Sequence, residues 1–212
     1  MDQITHSING PGNLQPDNGH DAHRTSGDVT REDAKEAVRT ILRFLGEDVT
    51  REGLRDTPRR YIDALREITS EPEYKPTTFQ SEDFGGTVVQ SGIAVYSMCE
   101  HHMLPIVGRA TVAYVPGERI VGLSKLARCV KRHARRLQNQ ERISQGVVQE
   151  LHRTLAPHTT ACILTARHMC MEMRGVNEPG TTTTTTAIAG QLPTDEQQRD
   201  FMRLLRSRHT NE

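Results

Sequence analysis

Residues 88–115 read VVQSGIAVYSMCEHHMLPIVGRATVAYV. Val88, Val89, Ile93, Val95 and Tyr96 mark one strand. Ile106 to Val115 carries a second, in which Val107, Ala110, Val112 and Tyr114 alternate only in part. Between the two strands lies Cys99-Glu100-His101-His102, with one thiol, one carboxylate and two imidazoles in four consecutive residues. Far downstream, His168-Met169-Cys170 offers another imidazole and thiol almost side by side. Two short clusters of nitrogen and sulfur ligands predict one metal site closed by the fold. Cys99, His102 and Cys170 would supply two thiolates and one imidazole. A fourth position is then left for water, as in catalytic rather than structural zinc sites.

Working outward, residues 1–28 are polar and Gly-, Asn- and Pro-containing and are expected to be a disordered tail. Thr30 opens a helix with a capping box that uses Asp33. Ala34, Val38, Ile41, Leu42 and Leu45 share one face, and Gly46 stops it. Thr57-Pro58 starts a second helix, with Tyr61, Ile62, Leu65 and Ile68 on its apolar side. Residues 29–84 thus read as an N-terminal helical arm with a connecting loop. Past the second strand, Pro116-Gly117 turns the chain, and Ser124 is the expected cap of a helix running to about Leu137. A polar break at Gln138-Asn139-Gln140 precedes another helix carrying Ile143, Val147, Val148, Leu151 and Leu155. Thr160–Thr165 is a third strand that delivers His168 and Cys170. The Thr-rich run Thr181–Ala189 is a fourth. Thr194 caps a last helix.

This order predicts an α+β fold, a four-stranded antiparallel sheet with two helices on one face. The core domain is expected over 85–192 and a C-terminal helix over 193–212. Open sheet edges invite pairing with a second copy. The 212 residues are only 34% hydrophobic and 4% aromatic, with no Trp, so part of the burial is expected between subunits. Lys plus Arg and Asp plus Glu are both 27, and the formal net charge is zero, which argues against bulk attraction to nucleic acid or an anionic membrane. No apolar run reaches the roughly 18 residues of a spanning helix, and no secretion signal is evident. Cys129 and Cys162 fall on apolar patterns and read as small buried side chains. A cytoplasmic protein with reduced thiols is expected.

Several stretches are similar to GTP cyclohydrolase I. They are Cys99-Glu100-His101-His102 with Pro105, Gly122-Leu123-Ser124-Lys125-Leu126-Ala127-Arg128, Arg136 to Arg142, and His168-Met169-Cys170-Met171 with Arg174-Gly175-Val176. They occur in order across about residues 30 to 190. The resemblance implies a tunnelling fold (T-fold) whose strands assemble into an oligomeric β-barrel. It implies a homodecamer of two pentamers with active sites at subunit interfaces. It also implies zinc-dependent conversion of GTP and water to formate and 7,8-dihydroneopterin triphosphate.

On the same resemblance, the metal ligands are Cys99, His102 and Cys170. His168 protonates N7 of the purine imidazole ring, and His101 assists proton transfers. Glu141, with Gln140 beside it, accepts hydrogen bonds from N1–H and the exocyclic amine of guanine. Lys125, Arg128, Arg174 and Arg60 meet the triphosphate, Arg60 from a neighbouring subunit, and Ser124 assists the sugar rearrangement. Two positions depart from the expected pattern: Asp63 stands where a basic residue is expected, and Asn139 where an apolar one is. They leave room for a specialised paralogue in deazapurine or secondary metabolism. A T-fold 7-cyano-7-deazaguanine reductase is the rival enzyme, but it would not need these metal ligands. A non-catalytic paralogue would not need the intact histidines.

Overall fold

The computed structural model describes residues 29–210; the expected N-terminal tail at 1–28 lies outside the described residues. The elements in order are α1 (Arg31–Phe44), α2 (Glu52–Arg55), α3 (Thr57–Thr69), β1 (Thr78–Gln80), β2 (Val88–Cys99), β3 (Pro105–Val115) and β4 (Arg119–Val121). There follow α4 (Leu123–His133), β5 (Leu137–Gln138), α5 (Gln140–Leu155), β6 (Thr159–His168), α6 (Met169–Glu172), β7 (Thr182–Gly190) and α7 (Asp195–Thr210). The chain divides into two compact units, up to Arg59 and from Arg60 onward.

In the first unit, α1 begins with the expected capping box. The Asp33 N–H donates to Thr30 Oγ1 at 3.1 Å, and the Thr30 N–H donates to the Asp33 carboxylate at 2.8 Å. Glu32 and Glu36 then pair with Lys35, Arg39 and Arg43 along one side. Val38 is buried, while Ile41, Phe44 and Leu45 are exposed.

In the second unit, five strands run in the order β5-β2-β3-β6-β7. The four long strands pair antiparallel, as expected. Two features correct the four-stranded expectation. Leu137–Gln138 adds a short fifth strand parallel to the end of β2. β1 and β4 form a separate two-stranded ribbon. Strands of two or three residues have no periodicity to detect.

The helices also differ from the one-faced expectation. From β6, Cys162, Leu164 and Ala166 join a core with Leu126 and Val130 of α4 and with Val147 and Leu151 of α5. The alternate residues Ala161 and Ile163 join Leu192 and Phe201 and Leu205 of α7 in a second cluster. Successive strand residues point to opposite faces, so α7 covers the face that α4 and α5 do not. β3 and β6 are therefore buried on both sides, which is why β3 alternates poorly in sequence. β7 is left as a mostly exposed edge.

Candidate active site

The candidate metal-ligand cluster is made by strand register. Ile106 of β3 lies opposite Ser97 of β2 on one side and His168 of β6 on the other. The connection after Cys99 and the segment after His168 therefore emerge at the same end of the sheet. Tight hydrogen bonds close the first of these: the Cys99 N–H donates to Leu104 O at 2.9 Å, and the Met103 N–H donates to Cys99 O at 2.8 Å. Met103 takes a left-handed conformation (φ 53°) to allow that closure. Cys99 is buried, and His101 and His102 are exposed. Cys99 Sγ lies 3.9 Å from His101 Nδ1 and 4.0 Å from His102 Nδ1.

The ligand atoms of Cys99, His102 and Cys170 all lie within 4.8 Å of one another. Tetrahedral coordination at ordinary Zn–S and Zn–N lengths separates neighbouring ligand atoms by about 3.5–3.8 Å. A small contraction about an ion suffices, and a two-sulfur, one-nitrogen donor set suits a borderline-soft divalent metal. Burial, and then the neighbouring Cys99 sulfur, push the Cys170 thiol above its ordinary pKa, against the opposing charge of Arg174. A bound cation reverses that balance and deprotonates coordinating thiols.

A charged brace holds this end of the sheet. Glu100 accepts from the Arg142 guanidinium at 2.8 and 3.1 Å and from Asn139 Nδ2 at 3.1 Å. The Arg142 and Asn139 hydrogen bonds hold its carboxyl below the usual range. Asn139 is also the N-cap of α5, its Oδ1 accepting from the Arg142 N–H at 2.8 Å. That explains the departure noted at Asn139: its polarity caps a helix and anchors Glu100. On the other ligand segment, Arg167 and the buried Glu172 form a two-pronged ion pair that spans His168 to Met171.

The expected polar break is corrected. Gln138 belongs to β5, and Gln140 is the first residue of α5. The Gln140 side chain is buried. Its Nε2 donates to Leu164 O at 2.8 Å and Thr183 O at 2.9 Å, and its Oε1 lies 2.7 Å from His168 Nε2. Burial pulls the His168 pKa below its ordinary value, and the Glu141 charge opposes that. Glu141 is exposed. It lines a cavity of about 450 Å³ with Arg142, Ser144, Gln145 and residues 185–187 of the β7 edge.

The GTP cyclohydrolase I family profile matches residues 34–206. The chain belongs to the GTP cyclohydrolase I family. A GTP cyclohydrolase 1 of Sinorhizobium fredii is 45% identical over 86% of this chain and 92% of its own length. The Geobacillus GTP cyclohydrolase 1 is 46% identical over 79% of this chain and 92% of its own length. That of Bacillus subtilis is 43% identical over 79% and 91%.

The other residues suggested by likeness to GTP cyclohydrolase I lie on separate elements. Ser124, Lys125 and Arg128 occupy the first two turns of α4. Ser124 is not the cap; Gly122 is, without a side-chain bond, and Ser124 is an exposed residue inside the helix. Arg174 follows α6 and is exposed, close enough for its charge to act on Cys170. Arg60 is exposed on α3 and Asp63 half-buried three residues on. The neighbouring cations serve structure: Arg132 pairs with Glu150 and Glu71, and Arg136 with Glu71.

Sequence reasoning missed three supports of the site. Arg167 and Glu172 carry no periodic signal, because a salt bridge five residues apart spans a strand end and a helical turn. The bonding of Gln140 depends on carbonyls of β6 and β7 that only tertiary structure brings near. The Asn139 cap was the detectable one, since Asn is among the preferred N-cap residues. A larger cavity, about 640 Å³, lies beneath the end of α7 on the opposite sheet face, lined by Arg109, Arg167, Arg206, His209 and β7 threonines. None of the Cys99 group lines it.

Proposed function

We propose that this chain converts GTP and water to formate and 7,8-dihydroneopterin triphosphate, the first step of tetrahydrofolate or pterin synthesis. The observation that carries the proposal is the meeting of Cys99, His102 and Cys170 within 4.8 Å, with His168 two residues from one ligand and Glu141 charged nearby. Relatives of the same family and similar length carry the name GTP cyclohydrolase 1.

Zinc is the metal this donor set favours, and at such a site it lowers the pKa of a coordinated water toward about 7. Around it, His168 and His101 exchange protons with the purine, His168 at N7. Glu141 accepts from the N1–H and amino group of guanine. Adenine presents an acceptor at N1, and a site built for such paired donors rejects the mismatch by as much as ~10⁴. Gln140 stands beside Glu141 and supports this end of the slot. Lys125, Arg128, Arg174 and Arg60 bind the triphosphate, Arg through two-pronged contacts. Ser124 assists the later rearrangement of the ribose carbons.

The finer architecture follows the same reading. The chain adopts a tunnelling fold and assembles as a decamer of two pentamers, with sites completed at subunit interfaces. The exposed β7 edge and the exposed Tyr96, Leu123, Met173 and Val176 support burial against further copies. No helix among the described residues is long and apolar enough to cross a membrane, and cytoplasmic residence is part of the proposal.

Purified protein incubated with GTP should release formate and, after oxidation, a fluorescent pterin, and metal analysis should give about one zinc per chain. Absence of both products from metal-loaded protein would overturn the proposal. Glu141→Ala should raise KM for GTP; unchanged GTP binding would remove the guanine assignment.

A further inference from the structure

We infer that Gln140 is a positioning residue that fixes which ring nitrogen of His168 carries the proton. Its catalytic consequence rests on the function proposed above; its geometry does not. The Gln140 side chain is about 1% exposed, so its carboxamide must be satisfied by protein groups. A carboxamide has one accepting oxygen and one nitrogen with two hydrogens. One end of it lies 2.8 Å from Leu164 O and 2.9 Å from Thr183 O. Both neighbours are backbone carbonyls, which only accept. That end must be the NH₂ group, since the flipped amide would set an oxygen against two oxygens at contact distance. Thr185 Oγ1, at 3.3 Å, can accept as well and raises no conflict.

The opposite end is therefore the oxygen, and it lies 2.7 Å from His168 Nε2. An oxygen without a hydrogen can only accept, so Nε2 bears one. In the neutral ring Nδ1 then holds the lone pair, and it is the nitrogen left to exchange a proton with a reactant. The ring is never left with its lone pair facing the carboxamide.

The anchor is rigid because Leu164 lies within β6, Thr183 within β7, and Gln140 begins α5. The chain of bonds from two strands through one amide to one imidazole sets both tautomer and ring orientation. Glutamate at 140 could not donate to the two carbonyls, and asparagine would be one carbon short.

The test uses full-length protein labelled with ¹⁵N-histidine and sedimented for solid-state NMR, with the His168 signal assigned by its loss in His168→Asn. The expected result is that neutral His168 is protonated at Nε2. In Gln140→Met the signal should divide between tautomers, and kcat should fall by roughly threefold or more, through the share of rings that leave the Nε2–H form and the loss of the ring's anchor. Metal content should be unchanged, which a general loss of packing would not give. A parent protein with His168 protonated at Nδ1 would overturn the inference, and so would a Met variant with parental kcat. If Gln140→Met fails to fold, the parent spectrum alone decides. If the parent makes no formate, the proposed function fails while the spectrum still decides the tautomer.

Discussion

Cys99, His102 and Cys170 bring three ligand atoms within 4.8 Å of one another, and so do Cys129, His133 and Glu150. By inventory the two groups are equals, each with thiol and imidazole. Their surroundings differ. In the second group His133 Nε2 already lies 2.6 Å from one Glu150 oxygen, and Arg132 Nη1 lies 3.1 Å from both. A guanidinium at that distance supplies the positive charge that a metal would otherwise bring. Cys129 is buried, and burial pushes its thiol far above the ordinary value, away from the thiolate that a metal needs. In the first group, among the described residues, no guanidinium or carboxylate is hydrogen-bonded to a ligand side chain. The carboxylates nearest to it in sequence, Glu100 and Glu172, are paired with Arg142 and Arg167. A metal site is recognised by donors whose lone pairs are not already committed, more than by the donors themselves.

The largest expected effect breaks the first group. Cys170→Ala should lower bound zinc from about one per chain to near zero and cut formate release by at least ~10³-fold, because it removes a ligand. Metal analysis beside the formate assay checks this. Retained zinc would mean that the two groups had been ranked wrongly.

The next effect breaks the second group. Glu150→Gln leaves Arg132 and His133 facing a neutral amide in a buried position, and removing one partner of such a pair costs about 3 kcal/mol. Denaturant unfolding should show that loss with zinc content unchanged. Burial raises the Glu150 pKa, but the His133 hydrogen bond and the charges of His133 and Arg132 outweigh it and carry the pKa below 4.5. A depressed carboxylate stabilises the fold fully above its unfolded value and ceases to do so as pH falls through its folded value. The stability difference between parent and Glu150→Gln should therefore shrink as pH drops below about 4.5.

The two groups also differ in how legible they were from residues alone. Cys99-Glu100-His101-His102 and His168-Met169-Cys170 announce themselves because ligand types crowd within four and three positions. Cys129, His133 and Glu150 are spread over two helices, and their proximity depends on α4 packing against α5. The four long strands were legible from β-branched runs, and the five longer helices of the described residues from their apolar faces, whereas the single turns α2 and α6 were not. β5 was not, since two residues carry no period, although it sets Gln138 beside Cys99. The second helical layer was hidden for a different reason: α7 is amphipathic enough to be found, but nothing in its sequence says which sheet face it covers. Similarity named Gln140 and Glu141 together, and the fold separates them, one turned into the core and one toward solvent.

A smaller effect sharpens the contrast without touching a ligand. Asn139→Ala removes the α5 cap and one of the hydrogen bonds to Glu100, and loss of such a cap costs about 1 kcal/mol. Zinc should remain, because Arg142 still holds Glu100 by two bonds. Thermal unfolding with metal analysis reads both.

The smallest effect is expected at Cys129. If its group bound a functional ion, Cys129→Ala would remove a thiolate and lower metal content as Cys170→Ala does. If its thiol is only a small apolar filler, the change empties about one methylene of volume, worth about 1 kcal/mol, and zinc and kcat stay at parental values. Thiol alkylation gives the same contrast without mutation. Four cysteines are present; once a chelator strips the metal, Cys170 should react, since it is half-buried at the end of the sheet where His101 and His102 are exposed. Cys129 and Cys162 should stay silent until the chain unfolds, because both are buried and burial pushes the Cys162 thiol up to about 12. Rapid native alkylation at Cys129 would show its group to be open, and the distinction between the two triads would then rest on Arg132 alone.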